Sequence, residues 1–136
     1  MEDYTKTKEV YKRLERTYLK FGKLIVAYDF DNTVRDYKTG LCNEKVAKLI
    51  REVKDYSYLI VYTCRTIDEE GFVIDWLKEN NIPFDSINEP YGETLRFTSK
   101  CKLYFNILLD DKAGLPTTYK CLKKLSKKIK KGKLKK

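Results

Sequence analysis

KLIVAYDFD, residues 23–31, is the stretch on which the fold turns. Leu24 to Tyr28 are apolar without alternation, and the run ends on two carboxylates, Asp29 and Asp31. A strand that is apolar on both faces belongs in the middle of a parallel sheet, with helices packed above and below it. Two later stretches share this form. YLIVYT, residues 58–63, ends at Thr63, and LYFNILL, residues 103–109, ends at the pair Asp110-Asp111. Residues 84–87 fit a short strand between them.

Helical patterns fill the intervals. Residues 44–55 place Val46, Leu49, Ile50 and Val53 on one face, with Asn43 at the capping position. Residues 67–80 carry Phe72, Ile74, Trp76 and Leu77 and close at Asn80-Asn81, before Pro83. Residues 5–21 set Val10, Leu14, Tyr18 and Phe21 near helical spacing. Gly114 and Pro116 are expected to break the chain. A last helix then puts Leu122, Leu125 and Ile129 on one face and lysines on the other. Strands alternating with helices argue for right-handed crossovers and a central, mostly parallel sheet, a three-layer Rossmann-like α/β fold. With 136 residues, 42% hydrophobic and 36% charged, the chain has the size and composition of one folded domain and is neither disordered nor collagen-like. It divides into an N-terminal helical extension at 1–22, a core at 23–116, and a basic helix and tail at 117–136.

Composition narrows the chemistry. There is no histidine, which removes Ser-His-Asp and Cys-His nucleophile systems, HExxH zinc hydrolases and Cys2His2 fingers. Cys42, Cys64, Cys101 and Cys121 are widely spaced and form no CxxC pair. They are expected to be reduced thiols of a cytoplasmic protein rather than a disulfide frame or a metal site. No apolar run approaches the length of a membrane span. The net charge of +9 sits at one end: ten lysines and no acid lie between Thr117 and Lys136. Taking those ten from the 29 basic residues leaves 19 against 20 acidic residues in the rest of the chain. The lysine end is expected either to attract a polyanion such as nucleic acid or an anionic membrane surface, or to stay a solvated tail.

In a parallel sheet the ligand crevice lies beyond the carboxyl ends of the strands. Three separate stretches deliver polar residues there: Asp29 with Asp31, Thr63 with Arg65 just beyond, and Asp110 with Asp111. Crowded carboxylates repel one another unless a cation neutralises them. Oxygen ligands select a hard ion, and Mg2+ is the usual companion of phosphate. Phosphoryl transfer asks for charge neutralisation, positioning and a nucleophile. Without histidine, an aspartate can attack and form an acyl phosphate. A second aspartate two residues on is placed to act as general acid and then as base. A lysine and a hydroxyl can hold the remaining phosphate oxygens.

This order of residues resembles the haloacid dehalogenase (HAD) superfamily of phosphohydrolases over residues 24–111. Asp29-Phe30-Asp31-Asn32-Thr33-Val34 resembles the family's DxDx[TV] signature. Thr63 is similar to the strand-ending Thr or Ser of the second motif. A lysine ahead of the last strand and Asp110-Asp111 at its end are similar to the third and fourth. The resemblance implies that Asp29 is the nucleophile and a magnesium ligand. Asp31 would be the acid/base and would bind the metal through its main-chain carbonyl. Thr63 and the lysine would hold the transferring phosphate. Asp110 would be the other carboxylate ligand, with Asp111 a secondary acid beside it, and Thr33 would brace the first loop. Lys102, eight residues before Asp110, is the favoured lysine and Lys100 the alternative. Asn32, a candidate substrate contact, stands where many members have Gly. Asparagine tolerates unusual backbone angles better than most residues.

Within the resemblance, cap domains are inserted after strand one or before the third motif. Here residues 32–41 and 88–101 are too short to fold as a domain. The implied protein is HAD-like with no cap. Its open crevice is accessible to a phosphorylated protein or a nucleic-acid end, or is closed by a second subunit of a homo-oligomer. YTCRT at 62–66 and IPFDSIN at 82–88 resemble segments of small capless hydrolases of bacteria and phages. Arg65 is either a contact for a second phosphate or a substrate carboxylate, or a surface arginine at the start of a helix. Tyr91, Arg96 and Phe97 lie in a loop expected to face the crevice, there to stack a base or to pack against the body. Cys64 is expected to pack beside Thr63.

Three readings of function follow. The first is a Mg2+-dependent phosphatase with an aspartyl nucleophile. The second is a nucleic-acid end or nucleotide phosphatase guided by the lysines of 120–136. The third is a non-catalytic HAD-like binding module. A response-regulator receiver domain also combines Asp, Mg2+ and Lys, but its acid pair opens the chain, whereas Asp110-Asp111 comes last here.

Overall fold

The apolar run beginning at Leu24 forms β1 (Leu24–Tyr28), in which every residue except Ile25 is buried. In the computed structural model, which describes residues 2–92 and 103–134, β1 pairs with β2 (Ser57–Val61) on one side and β4 (Ile107–Leu109) on the other. β3 (Ser86–Ile87) adds to the far side of β2, giving the order β3-β2-β1-β4 with every pairing parallel. Tyr28 stands opposite Val61 and Leu109, so the three longer strands end level with one another. Four helices, α1 (Thr7–Phe21), α2 (Glu44–Val53), α3 (Glu70–Glu79) and α4 (Leu115–Lys130), complete an α/β fold of the three-layer Rossmann-like kind. Among the described residues no helix is long and apolar enough to cross a membrane.

Several elements differ from the sequence expectation for identifiable reasons. The fourth strand is confined to Ile107–Leu109 because Asn106 replaces a strand residue with its side chain. Its N–H donates to the Ile25 carbonyl at 2.8 Å, while its Oδ1 accepts the Ile25 N–H at 2.6 Å. Asp85 does the same ahead of β3, donating to the Leu59 carbonyl at 2.8 Å and accepting its N–H through Oδ2 at 2.7 Å. Pro116 does not break the chain. Gly114, at φ 75°, makes the left-handed turn, and Pro116 falls in the first turn of α4, where its missing N–H has no intrahelical partner to lose. The buried face of α1 is Tyr11 and Leu14, with Phe21 60% exposed, and that of α3 is Val73, Trp76 and Leu77, with Phe72 largely outside it.

The helices run back from the carboxyl ends of the strands. α4 packs on α1, α2 and β4. The Cys121 thiol lies beside the Thr7 carbonyl and Lys128 reaches Glu15 at 3.2 Å, so α1 and α4 run side by side in the same direction. Lys123 meets Glu52 at 3.0 Å across the contact with α2. Cys121, Leu122 and Leu125 of α4 are buried in the same core as Leu24, Val26 and Leu109. That leaves its lysines outside.

Candidate active site

The chain turns sharply after β1. Phe30 is fully buried, and its carbonyl accepts the N–H groups of Thr33, Val34 and Arg35 at 3.4, 3.1 and 3.1 Å. Asn32 sits in this turn at φ 60°. Asparagine enters that left-handed region at lower cost than most residues, so it can stand where the resemblance has Gly. Its side-chain oxygen accepts the Tyr37 N–H at 3.0 Å, so this expected substrate contact is engaged by its own loop.

The same turn drives Thr33 inward to complete burial. Its hydroxyl accepts the Asp111 N–H at 3.0 Å. It lies 3.4 Å from Asp29 Oδ2 and 3.3 Å from Asp111 Oδ1, to one of which its single proton is given. The Asp29 N–H donates to the Leu109 carbonyl at 2.9 Å and locks the tips of β1 and β4 together. As a result Asp29, Asp110 and Asp111 each place a carboxylate oxygen within 4.8 Å of the others. Burial, a hydrogen bond with Asp111 and the charge of Asp110 push the Asp29 carboxyl up to about 7. Crowded, partly desolvated acids are what raise a carboxyl this far.

The Asp31 side chain turns away from this cluster. Arg65 grips it with both edges of its fork, donating from Nε to Oδ2 at 2.8 Å and from Nη2 to Oδ1 at 3.0 Å. Arg35 Nη1 approaches Oδ1 at 3.4 Å. The remaining Arg65 Nη1 donates to Glu69 at 2.9 Å, and the guanidinium lies over Phe72 and Phe30 at 5.1 and 5.5 Å. Neither expected role of Arg65 describes this. It is not open to an anion in this arrangement, and it is not a solvated surface arginine. It holds Asp31, 34 residues earlier in the chain.

Thr63 lies just beyond β2, one strand across from Asp29. Its backbone is fixed by Asn88, which directly follows β3. Asn88 Oδ1 accepts the Thr63 N–H at 2.9 Å, and its Nδ2 donates to the Thr63 carbonyl at 2.8 Å. The Asn88 N–H donates to the Val61 carbonyl at 2.8 Å, and the residue adopts φ 53°. An asparagine one step past a strand was the only sequence signal for this clamp. Glu69 had a clearer one. Thr66-Ile67-Asp68-Glu69 is a capping box, formed here as a 3-10 turn (Ile67–Glu69) that opens α3.

Of the two readings of Tyr91, packing against the body holds, and the residue lies away from the crevice. Its ring packs on Tyr58 at 4.9 Å, with Lys23 5.3 Å above it, at the amino end of the sheet. Cys64 is exposed rather than packed. Lys100, Lys102, Arg96 and Phe97 lie outside the described residues.

No family model matches the chain, and no curated protein matches it. Among solved structures it is similar to the conserved protein coded by locus from Bacteroides thetaiotaomicron. The TM-score is 0.62 at 20% identity, covering 75% of this chain and 91% of that one. A likeness of that depth establishes a shared fold.

Proposed function

We propose that the chain is a Mg2+-dependent phosphohydrolase of the HAD type that hydrolyses phosphate monoesters through an aspartyl phosphate on Asp29. One observation carries the reading. Asp29, Asp110 and Asp111 converge within 4.8 Å from the tips of two adjacent strands, at the carboxyl end of a parallel sheet. The donors are all oxygen, and burial, with the neighbouring Asp111 and Asp110, has already pushed Asp29 up to about 7. A hard divalent cation fits such a set. Asp29 and Asp110 would hold it through their carboxylates, with Asp111 beside them, and Asp31 through its main-chain carbonyl. When bound, Mg2+ neutralises the carboxylates and the phosphoryl charge.

The chain's own residues carry the steps. An Asp29 oxygen attacks phosphorus, the ester P–O bond breaks, and the leaving oxygen takes a proton from Asp31. Water then attacks the aspartyl phosphate and gives a proton to Asp31. The bond between Asp29 and phosphorus breaks, releasing phosphate and restoring both acids. Both Asp31 oxygens accept N–H bonds from Arg65 in this arrangement, so the acid/base role would call for Arg65 to release its grip. Thr63, its backbone fixed by Asn88, supplies a hydroxyl for a phosphate oxygen, and the motif lysine, Lys102 by preference, a positive charge. The short segments around the crevice support an open, capless site.

Guidance of a nucleic-acid end by the lysines of 120–136 has less support. α4 leaves the carboxyl end of β4 and carries its lysines toward the other end of the sheet, away from the acids.

Hydrolysis of p-nitrophenyl phosphate with Mg2+, compared between the wild type and Asp29→Asn, tests the reading. Metal-dependent turnover that falls by about a thousandfold or more in the variant is expected. Turnover that survives the substitution removes Asp29 as nucleophile. No turnover in either protein, together with no binding of Mg2+ or a phosphate analogue, overturns the enzyme in favour of a binding module.

A further inference from the structure

We propose that the lysine face of α4 is a docking surface for a single-stranded nucleic-acid backbone, separate from the acidic crevice and independent of the phosphatase reading. Eight lysines and no acid lie between Lys120 and Lys133. Seven of them, with Tyr119, line one shallow groove of about 350 Å³. Lys120, Lys124, Lys127 and Lys131 are exposed and follow one another at three- and four-residue steps, so they share a face. This surface belongs to the ordered body. Along its inner margin Lys123 reaches Glu52 at 3.0 Å and Lys128 reaches Glu15 at 3.2 Å, while Lys124 lies 4.3 Å over the ring of Tyr11.

Like charges four residues apart weaken a helix. α4 contains such pairs at 120/124, 123/127 and 124/128 and is nonetheless helical, because Cys121, Leu122 and Leu125 are buried in the core. A bound polyanion relieves that repulsion. The burial also decides which polyanion. A helix that lies on a membrane inserts an apolar face, and the apolar face of α4 is already spent on the core. What remains is a row of positive charge. From Lys120 to Lys131 it spans about 16 Å at 1.5 Å per residue and presents the four exposed cations of the shared face, each able to neutralise one backbone phosphate.

The test is fluorescence anisotropy with a single-stranded RNA of about 20 nucleotides carrying hydroxyl ends, in EDTA, so that the crevice has neither monoester nor metal. Four neutralised phosphates set a slope of log affinity against log salt of about −3. The variant Lys120→Gln, Lys124→Gln, Lys127→Gln, Lys131→Gln is expected to bind at least about tenfold more weakly with unchanged helical circular dichroism. If that variant loses its helical signal, the pairs 120/124 and 127/131 are neutralised separately, each with an expected loss of about threefold. Asp29→Asn is expected to bind like the wild type. A slope shallower than about −1 overturns the proposal. So does undiminished binding by the folded lysine variants, which would put the RNA elsewhere on the protein. Capture by phosphatidylserine vesicles without RNA binding would replace it with a lipid surface.

Discussion

The molecule carries two clusters of like charge, and they are built in opposite ways. The acids at the strand tips come from positions some 80 residues apart, are partly enclosed, and lie within 4.8 Å of one another. The lysines of α4 come from one continuous segment and point mostly into water. Enclosure turns repulsion into a local demand that a counterion must meet, and it registers as an acid pushed up to about 7. Exposure lets water and salt absorb the repulsion, leaving a diffuse field that acts on large partners. Repulsion among like charges therefore yields a site where it is enclosed and a surface where it is exposed.

The sharpest way to break this comparison is to titrate stability without metal. Asp29 has a folded pKa above its unfolded value near 3.8, so the folded state binds the extra proton between about pH 4 and 7. Stability from this group therefore falls as pH rises through that window and levels off above it. The full shift from 3.8 to about 7 corresponds to roughly 4 kcal/mol, and solvent access to the group reduces this to about 2. The window is unusually clear, because the chain has no histidine. The acids held low by their partners, Glu15 by Tyr11 and Glu69 by the Thr66 backbone, lose their contribution only as pH falls below the ordinary range. In EDTA the melting temperature is expected to drop between pH 5 and 7.5. Mg2+ should restore it more at pH 7.5 than at pH 5, and Asp29→Asn should abolish both effects. A flat profile in the wild type would mean that the acids are not crowded in solution.

Next in size is the buried hydroxyl beneath the cluster. Thr33→Val keeps shape but leaves the Asp111 N–H without its acceptor, at a cost of about 1–3 kcal/mol. Thr33→Ser keeps the bond and loses only a methyl group. Urea unfolding should rank wild type, Ser and Val in that order. If Val equals Ser, the hydroxyl does not brace the loop.

How far these features were legible differs along the chain. β1 and β2 were readable because they are apolar on both faces, which few other elements are. The ends of β3 and β4 were not, because Asp85 and Asn106 pair with the neighbouring strand through side chains that hydrophobicity does not register. The convergence of Asp29, Asp110 and Asp111 followed from topology alone, since residues ending neighbouring parallel strands must meet. The grip of Arg65 on Asp31 and of Asn88 on Thr63 did not follow. Each depends on where a loop side chain swings after the strand has ended, and no periodicity governs that. Pro116 was misread for a related reason: its effect depends on whether it falls before a helix or within its first turn.

The smallest effect is expected on the lysine face, where it separates the exposed rim from the paired inner margin. Lys127→Gln with Lys131→Gln removes two i,i+4 repulsions, 123/127 and 127/131, and also two charges that favour the carboxyl end of α4, terms of a few tenths of a kcal/mol each and opposite in sign. Stability is expected to move by less than about 0.5 kcal/mol. Lys128→Gln removes a partner of Glu15 and a cation 5.0 Å from the Tyr11 ring, both half-covered by the α1 contact. It should lower stability measurably, and more at low salt than at high. Denaturant midpoints measured at two salt concentrations decide the matter. If the rim substitutions cost as much as Lys128→Gln, the face is not solvated, and its charges are engaged by the protein itself rather than held out to a partner.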